Sequence, residues 1–366
     1  MVATEGWTVG VSVALTTLFA ARPAHAQAVV EADARGSYYT DTDATEIITT
    51  AVQATVRPVP EFSFGGHYLA DIVSSASVDV VSAATDRWEE TRHEGVGNVG
   101  YKDADRGASA GYIYSVENDW RSHTGRLALS HDLLDHQVTL GVGGAFGYNT
   151  VGRAEDVNFE DEMLTGTANL EAAFALSPDD LLSSTYSFNF VSGFQESPYR
   201  NVRFAGALAG ATLSSPERVP DSRARSALAV RYNRHLISHS FLRLQMRGYI
   251  DDWGVMSGTV GAEFVQGLID ALELAVFARA YVQKGATFYE DAYPEERAFM
   301  TADRELSAFV DGFGGLRFGF DVKKQGPFES IRGELKGTAF AFRFFEFTEL
   351  VDRYGVIAEL GLGASL

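Results

Sequence analysis

Between Leu272 and Val282 the chain reads LELAVFARAYV. The even positions Leu272, Leu274, Val276, Ala278, Ala280 and Val282 form an apolar row, while Glu273, Ala275, Phe277, Arg279 and Tyr281 form a mixed one that continues to Gln283. A period of two is a strand signal, because successive side chains of an extended chain point to opposite faces; a helix repeats every 3.6 residues or so. The same split runs through Leu164, Gly166, Ala168, Leu170, Ala172 and Phe174 against Thr165, Thr167, Asn169 and Glu171. It returns in Tyr354, Val356, Ala358, Leu360, Leu362, Ala364 and Leu366 against Gly355, Glu359, Gly361, Gly363 and Ser365.

The character of the second face separates a soluble sandwich from a membrane barrel. A sandwich core takes bulky apolar residues on its inner face, whereas here the second face carries Gly, Ala, Ser and charges of both signs. Arg223, Arg225, Arg231, Asn233 and His235 share one face of a strand, and Arg243, Gln245, Arg247, Tyr249 and Asp251 share one face of the next. A turn at 237–239 sets Asn233 opposite Arg243 and Arg225 opposite Asp251. Such a row fits a wet lining.

Outward from these segments the pattern predicts strands near 31–39, 46–57, 61–73, 92–101, 107–118, 124–132, 136–148, 164–176, 181–192, 223–236, 239–252, 254–265, 271–283, 305–321, 328–342 and 353–366. Their connections sort by parity. Those at 57–61, 133–135 and 177–180 are short, while 74–91, 149–163, 193–222 and 284–304 belong to the alternate set. The expected fold is all-β: a transmembrane antiparallel β-barrel of about 16 strands, with short periplasmic turns and long extracellular loops. Past residue 26 no window of 18 or more residues is uncharged and mostly apolar, which excludes a transmembrane helix. Aromatic residues near the strand ends (Tyr38, Tyr39, Trp120, Tyr148, Trp253, Phe344, Phe345 and Phe347) suit interfacial girdles.

The 366 residues carry a formal charge of −19 and no Cys. That balance, without a Lys/Arg-rich run, argues against nucleic acid as a partner. The missing Cys removes disulfides, thiolate metal sites and cysteine nucleophiles. Residues 1–26 read as a signal peptide, with an apolar stretch from Gly6 to Ala21 and a small-x-small site at Ala24, His25 and Ala26. The usual positive start is missing, since Glu5 is the only charge before Arg22; a leader behind a misassigned start codon is the alternative. Residues 27–366 then form the barrel, exported to the cell outer membrane.

The segments GSYYTDTDATEI (36–47), ADIVSSASVDVVSAAT (70–85), SPYRNV (197–202), DSRARSALAVRYNRHL (221–236), GYIDDWGV (248–255), RAYVQKGATFYED (279–291) and TADREL (301–306) are together fairly specific. Through them the chain resembles a bacterial family known as domain of unknown function 3570, taken to be outer-membrane barrels, over most of its mature length. The resemblance implies the fold and no established activity. It also implies, as companions, a small envelope lipoprotein and a flavin-transferring periplasmic enzyme.

Motifs that carry chemistry elsewhere read as structural here. GASAG at 107–111 matches a nucleophile elbow, but it runs on into an alternating strand, so Ser109 lies flat in a sheet. GVGGAFG (141–147) and GFGGLRFG (312–319) lack the third glycine and the helix of a phosphate loop, and suit sheet curvature. The eight His show no zinc spacing, and His235 with His239 falls across a hairpin turn. The acidic groups Glu155, Asp156, Glu160, Asp161, Glu162 and Glu290, Asp291, Glu295, Glu296 read as solvated loops, with divalent-cation bridging to lipopolysaccharide as the alternative. Asp41 and Asp43 belong to a tight hairpin rather than a calcium loop.

Two features point to function. Asp79, Ser82 and Thr85 lie in a loop too apolar for a tether, and form a candidate constriction folded into the lumen. Arg225, Arg231, Arg243, Arg247, Asp251, Glu263, Glu273, Arg279, Asp311 and Glu334 are candidate lumen-lining charges, either as a static ladder bracing the wall or as an attractor for anionic solutes. The expected protein is a porin-like or transport conduit for small solutes, without enzyme activity or cofactor, in contact with outer-membrane lipid and lipopolysaccharide. The rival readings are a non-conducting scaffold for envelope partners and, behind it, a lipid-modifying barrel enzyme.

Overall fold

The structure, a computed structural model, describes residues 28–75, 88–153, 156, 158–205, 214–237 and 239–366. The signal-peptide segment, the constriction residues Asp79, Ser82 and Thr85, and Glu155 of the first acidic group lie outside them.

The strands are β1 (Val29–Asp41), β2 (Thr45–Val59), β3 (Phe62–Ser75), β4 (Trp88–Lys102), β5 (Arg106–Val116), β6 (Trp120–Leu133), β7 (Val138–Gly152), β8 (Glu160–Ser177), β9 (Asp180–Gly193), β10 (Asn201–Arg203), β11 (Ser214–Pro216), β12 (Ser222–His235), β13 (Ser240–Asp251), β14 (Met256–Ile269), β15 (Leu272–Lys284), β16 (Phe309–Gln325), β17 (Phe328–Phe344) and β18 (Asp352–Ser365). Apart from the small β10–β11 hairpin, they form one closed antiparallel sheet. Each pairs with its neighbour in sequence, β9 pairs with β12, and β1 pairs with β18 to close the ring. The barrel therefore has 16 strands.

Register confirms the pairing read from the alternation: Arg225 faces Asp251 and Asn233 faces Arg243. Contacts that skip a strand show which face is concave. Arg332 on β17 reaches Asp33 on β1 across β18, and Arg317 on β16 reaches Glu263 on β14 across β15. Side chains of next-nearest strands converge only inside a curved sheet. The convex face carries Leu127, Leu140, Phe146, Leu170, Leu228, Met246, Val260, Val276, Leu335, Val356 and Leu360, all well exposed. A continuous apolar girdle of this size is unstable in water and matches hydrocarbon.

Three expectations are corrected. Strand ends lie several residues from the positions read from alternation: β8 begins at Glu160, β4 at Trp88 and β16 at Phe309. Beyond the apolar belt both faces meet water, so the alternation that marks a strand fades while backbone pairing continues. Residues 305 and 306, read as the start of the strand at 305–321, belong instead to a 3-10 turn (Arg304–Leu306) in a loop. The aromatic residues divide. Tyr38, Tyr148 and Phe345 are exposed outward, whereas Trp253, Phe344 and Phe347 are buried and Tyr39 stacks on Phe340, within the barrel. Third, the inner face is not wet throughout. Toward the mouth, β15 to β18 carry an aromatic wall in which Phe309 lies 5.4 Å from Phe344 and Phe313 lies 5.2 Å from Phe340, with Arg353 and Arg279 each 4.2 Å above a ring. Gly355 belongs to this wall, because the Phe340 ring occupies the space a Cβ would need.

Candidate functional site

The concave face and the loops above it are the only surfaces through which a barrel can handle solutes. All ten charges singled out from the sequence sit on that face. Arg225 and Arg231 are on β12, Arg243, Arg247 and Asp251 on β13, Glu263 on β14, Glu273 and Arg279 on β15, Asp311 on β16 and Glu334 on β17, linked position by position through the register.

Part of the set is paired. Arg243 donates to Glu263 at 2.8 Å, Arg279 to Asp311 at 2.8 Å and Arg223 to Asp251 at 2.5 Å. The centre of the network is Arg317, which the sequence reading missed: its guanidinium reaches Glu263 at 3.1 Å, Glu273 at 2.5 Å and Glu334 at 3.5 Å. Parity alone marks it, since Asp311, Arg317 and Asp321 share one face of β16, but it lies within a glycine-rich stretch read only for curvature. Lys336 adds a contact to Glu359 at 2.6 Å and Arg332 one to Asp33 at 3.0 Å. Among the described residues Arg225, Arg231 and Arg247 have no carboxylate within ion-pair distance; Arg247 lies 5.4 Å from the centre of the Tyr249 ring.

Cavities border the concave face on several strands. A cavity of about 760 Å³ runs between Asp33, Arg35 and His67 on one side and Phe241, Glu273 and Arg317 on the other. A second of about 540 Å³ adjoins Arg231, Asn233 and Gln245, and a third of about 630 Å³ adjoins Arg126, Asn169 and Glu171.

Two loops meet over the mouth. The described residues of 194–221 (194–205 and 214–221) carry β10 and β11, and 285–308 carry the 3-10 turn. Val202 of the first packs with Tyr293 and Met300 of the second, all at 0% exposure. Arg200 joins Glu217 at 3.4 Å and Asp303 at 3.0 Å, and Arg218 joins Glu296 at 2.7 Å. The clasp spans the rim: Tyr199 donates to Asp119 between β5 and β6, Arg203 pairs with Glu349 between β17 and β18, and buried Arg304 pairs with buried Asp43 between β1 and β2. The Asp41–Thr45 segment is a tight turn, with Asp41 accepting from the Asp43 amide at 2.9 Å and the Thr45 amide at 3.1 Å. Burial pushes the Glu217 carboxyl above its ordinary range, a rise that Arg200 opposes. Beside Asp119, Glu90 and Glu117 bring their carboxylates within 4.8 Å of it and of each other, and burial raises Glu117 as well.

Ser109 lies within β5 on the concave face. The His235 ring donates a hydrogen bond to the Asp179 carboxylate across the adjoining turns.

A closed antiparallel cylinder with an apolar outside and a charged inside defines a β-barrel of the outer-membrane type. The chain belongs to the family described as proteins of unknown function, DUF3570, which matches residues 73–334. In fold it is similar to a bacterial polysaccharide outer membrane secretin, at 9% identity and TM-score 0.54, covering 94% of this chain and 100% of that one. It is also similar to two Pseudomonas aeruginosa proteins. The outer membrane protein opdK has 10% identity and TM-score 0.44, covering 93% of this chain and 99% of that one; OccD3 (OpdP) has 10% identity and TM-score 0.46, covering 93% and 90%. Among curated proteins no sequence matches the chain.

Proposed function

We propose that the protein is an outer-membrane conduit for small solutes, inserted among lipid and lipopolysaccharide, with its mouth narrowed by the 194–221 and 285–308 clasp. The observation that carries this is the solvent exposure of side chains that point into the barrel: Arg126, Ser130, Glu171, Arg231, Gln245 and Arg247 face inward yet stay exposed. Ionised groups remain so only where water reaches them or counter-charges hold them, so these exposed inward side chains on β6, β8, β12 and β13 support passage rather than a packed core. The experiment is conductance of the purified chain in a planar bilayer. Stepwise current is expected; reproducible silence over many insertions contradicts it. The clasp itself favours a second reading, a non-conducting scaffold that holds a small envelope lipoprotein, and silence with retained folding would support that one.

A further inference from the structure

We infer that Arg231 and Arg247 form a binding patch for small organic carboxylates on the lumen wall; this deepens the conduit reading and rests on it. The other cations lining the cavity beside Arg231 are committed: Arg243 to Glu263, Arg279 to Asp311, Arg317 to three carboxylates, Lys336 to Glu359. These two are not. Register shows why. The inward positions around Arg231 are Leu181, Ser183 and Thr185 on β9 and Arg243, Gln245 and Arg247 on β13. Those around Arg247 are Ala227, Ala229 and Arg231 on β12 and Ser257, Thr259 and Gly261 on β14. No neighbouring position holds an acid, and several hold a hydroxyl or an amide.

Two guanidinium groups left charged beside hydrogen-bonding side chains have the chemistry to hold an anion. They are diagonal cross-strand neighbours, a geometry that places such residues about 7–8 Å apart. Guanidinium presents its N–H groups as a planar fork matched to a carboxylate, so one acid group can be held by two parallel hydrogen bonds. The span suits one carboxylate passed between the two forks, or a short dicarboxylate bridging them. Both side chains are exposed to the lumen, and the cavity of about 540 Å³ beside Arg231, Asn233 and Gln245 is large enough for a small solute. Gln245 leans across Gly261, where a Cβ would strike it, so its amide lies against the wall within the same patch. Glu263, Glu334 and Glu359 also border this cavity, but their charge is already met by Arg243, Arg317 and Lys336.

The test uses the purified full-length mature chain in planar bilayers, with a tenfold KCl gradient and succinate as probe. The wild type is expected to prefer chloride over potassium and to lose unit current as millimolar succinate is added, with no response to glucose. Arg231→Gln combined with Arg247→Gln is expected to weaken the succinate effect at least tenfold and to shift the reversal potential toward potassium; Arg231→Lys keeps the preference for chloride. Conductance that ignores succinate and is unchanged in the double variant overturns the patch and leaves the conduit standing. If no current appears, calorimetry with succinate in detergent decides. Binding that is lost in the double variant upholds the patch and removes the conduit, and the absence of binding overturns the patch.

Discussion

Arg304 and Asp43 show how much one pair can hold. Both side chains are buried, and the pair ties the 285–308 loop to the β1–β2 turn. Replacing one partner takes a counter-charge from the other in a buried site, a loss of about 3 kcal/mol. Arg304→Met is therefore expected to release the loop, seen as lost amide protection at Ser307 while strand amides keep theirs; unchanged protection would show that the pair holds nothing. Glu217 gives the clasp a pH dependence. Its carboxyl is raised by burial within reach of Arg200, Asp303 and Thr301. A group whose folded pKa exceeds its unfolded value binds its proton more tightly in the closed clasp, so this contribution is complete below the unfolded pKa and is lost as pH rises through the folded one. The opening free energy at Thr301 should fall over that window, and Glu217→Gln should flatten the trend. Neither pair was legible in the sequence, because each joins residues far apart in the chain through loops that carry no periodicity.

At the scale of the element, the two faces of a strand obey different rules. Leu274→Arg or Val276→Arg sets a charge against hydrocarbon at about 2–4 kcal/mol each near the midplane, and should lower the folded fraction in lipid vesicles measured by heat-modifiable migration. Glu171→Arg, inward and exposed, should insert as the wild type does; an equal loss at all three positions would contradict the facing. Ala275, inward by parity, is a poor control. It is 0% exposed, between Val265 and Arg317 in register, so a long side chain there meets packed neighbours. Alternation made the facing of β15 and the register of β12 with β13 legible. It did not show that the inner face changes along its length. An inward Phe340 and an inward Gln245 obey the same parity, and only the contacts that fill the barrel near the mouth tell them apart.

For the whole molecule, the ring of strands and its short and long connections followed from sequence, since each depends on local pattern. The clasp did not, because the long loops at 193–222 and 284–304 advertise only their length. Arg203 links one loop to Asp291 of the other and to Glu349 on the rim. Arg203→Ala is expected to raise the open fraction of the conductance, and an unaltered current would place the clasp outside the path. The central claim, lipid on one side of each strand and water on the other, has a direct measurement because the chain has no native Cys. Single cysteines are placed at Leu228, Met246, Val260 and Val282 on the convex face and at Arg231, Gln245 and Thr259 on the concave one, and the protein in lipid vesicles is treated with a charged, membrane-impermeant thiol reagent. The account requires labelling at the concave positions and protection at the convex ones; uniform labelling, or the reverse pattern, would contradict it.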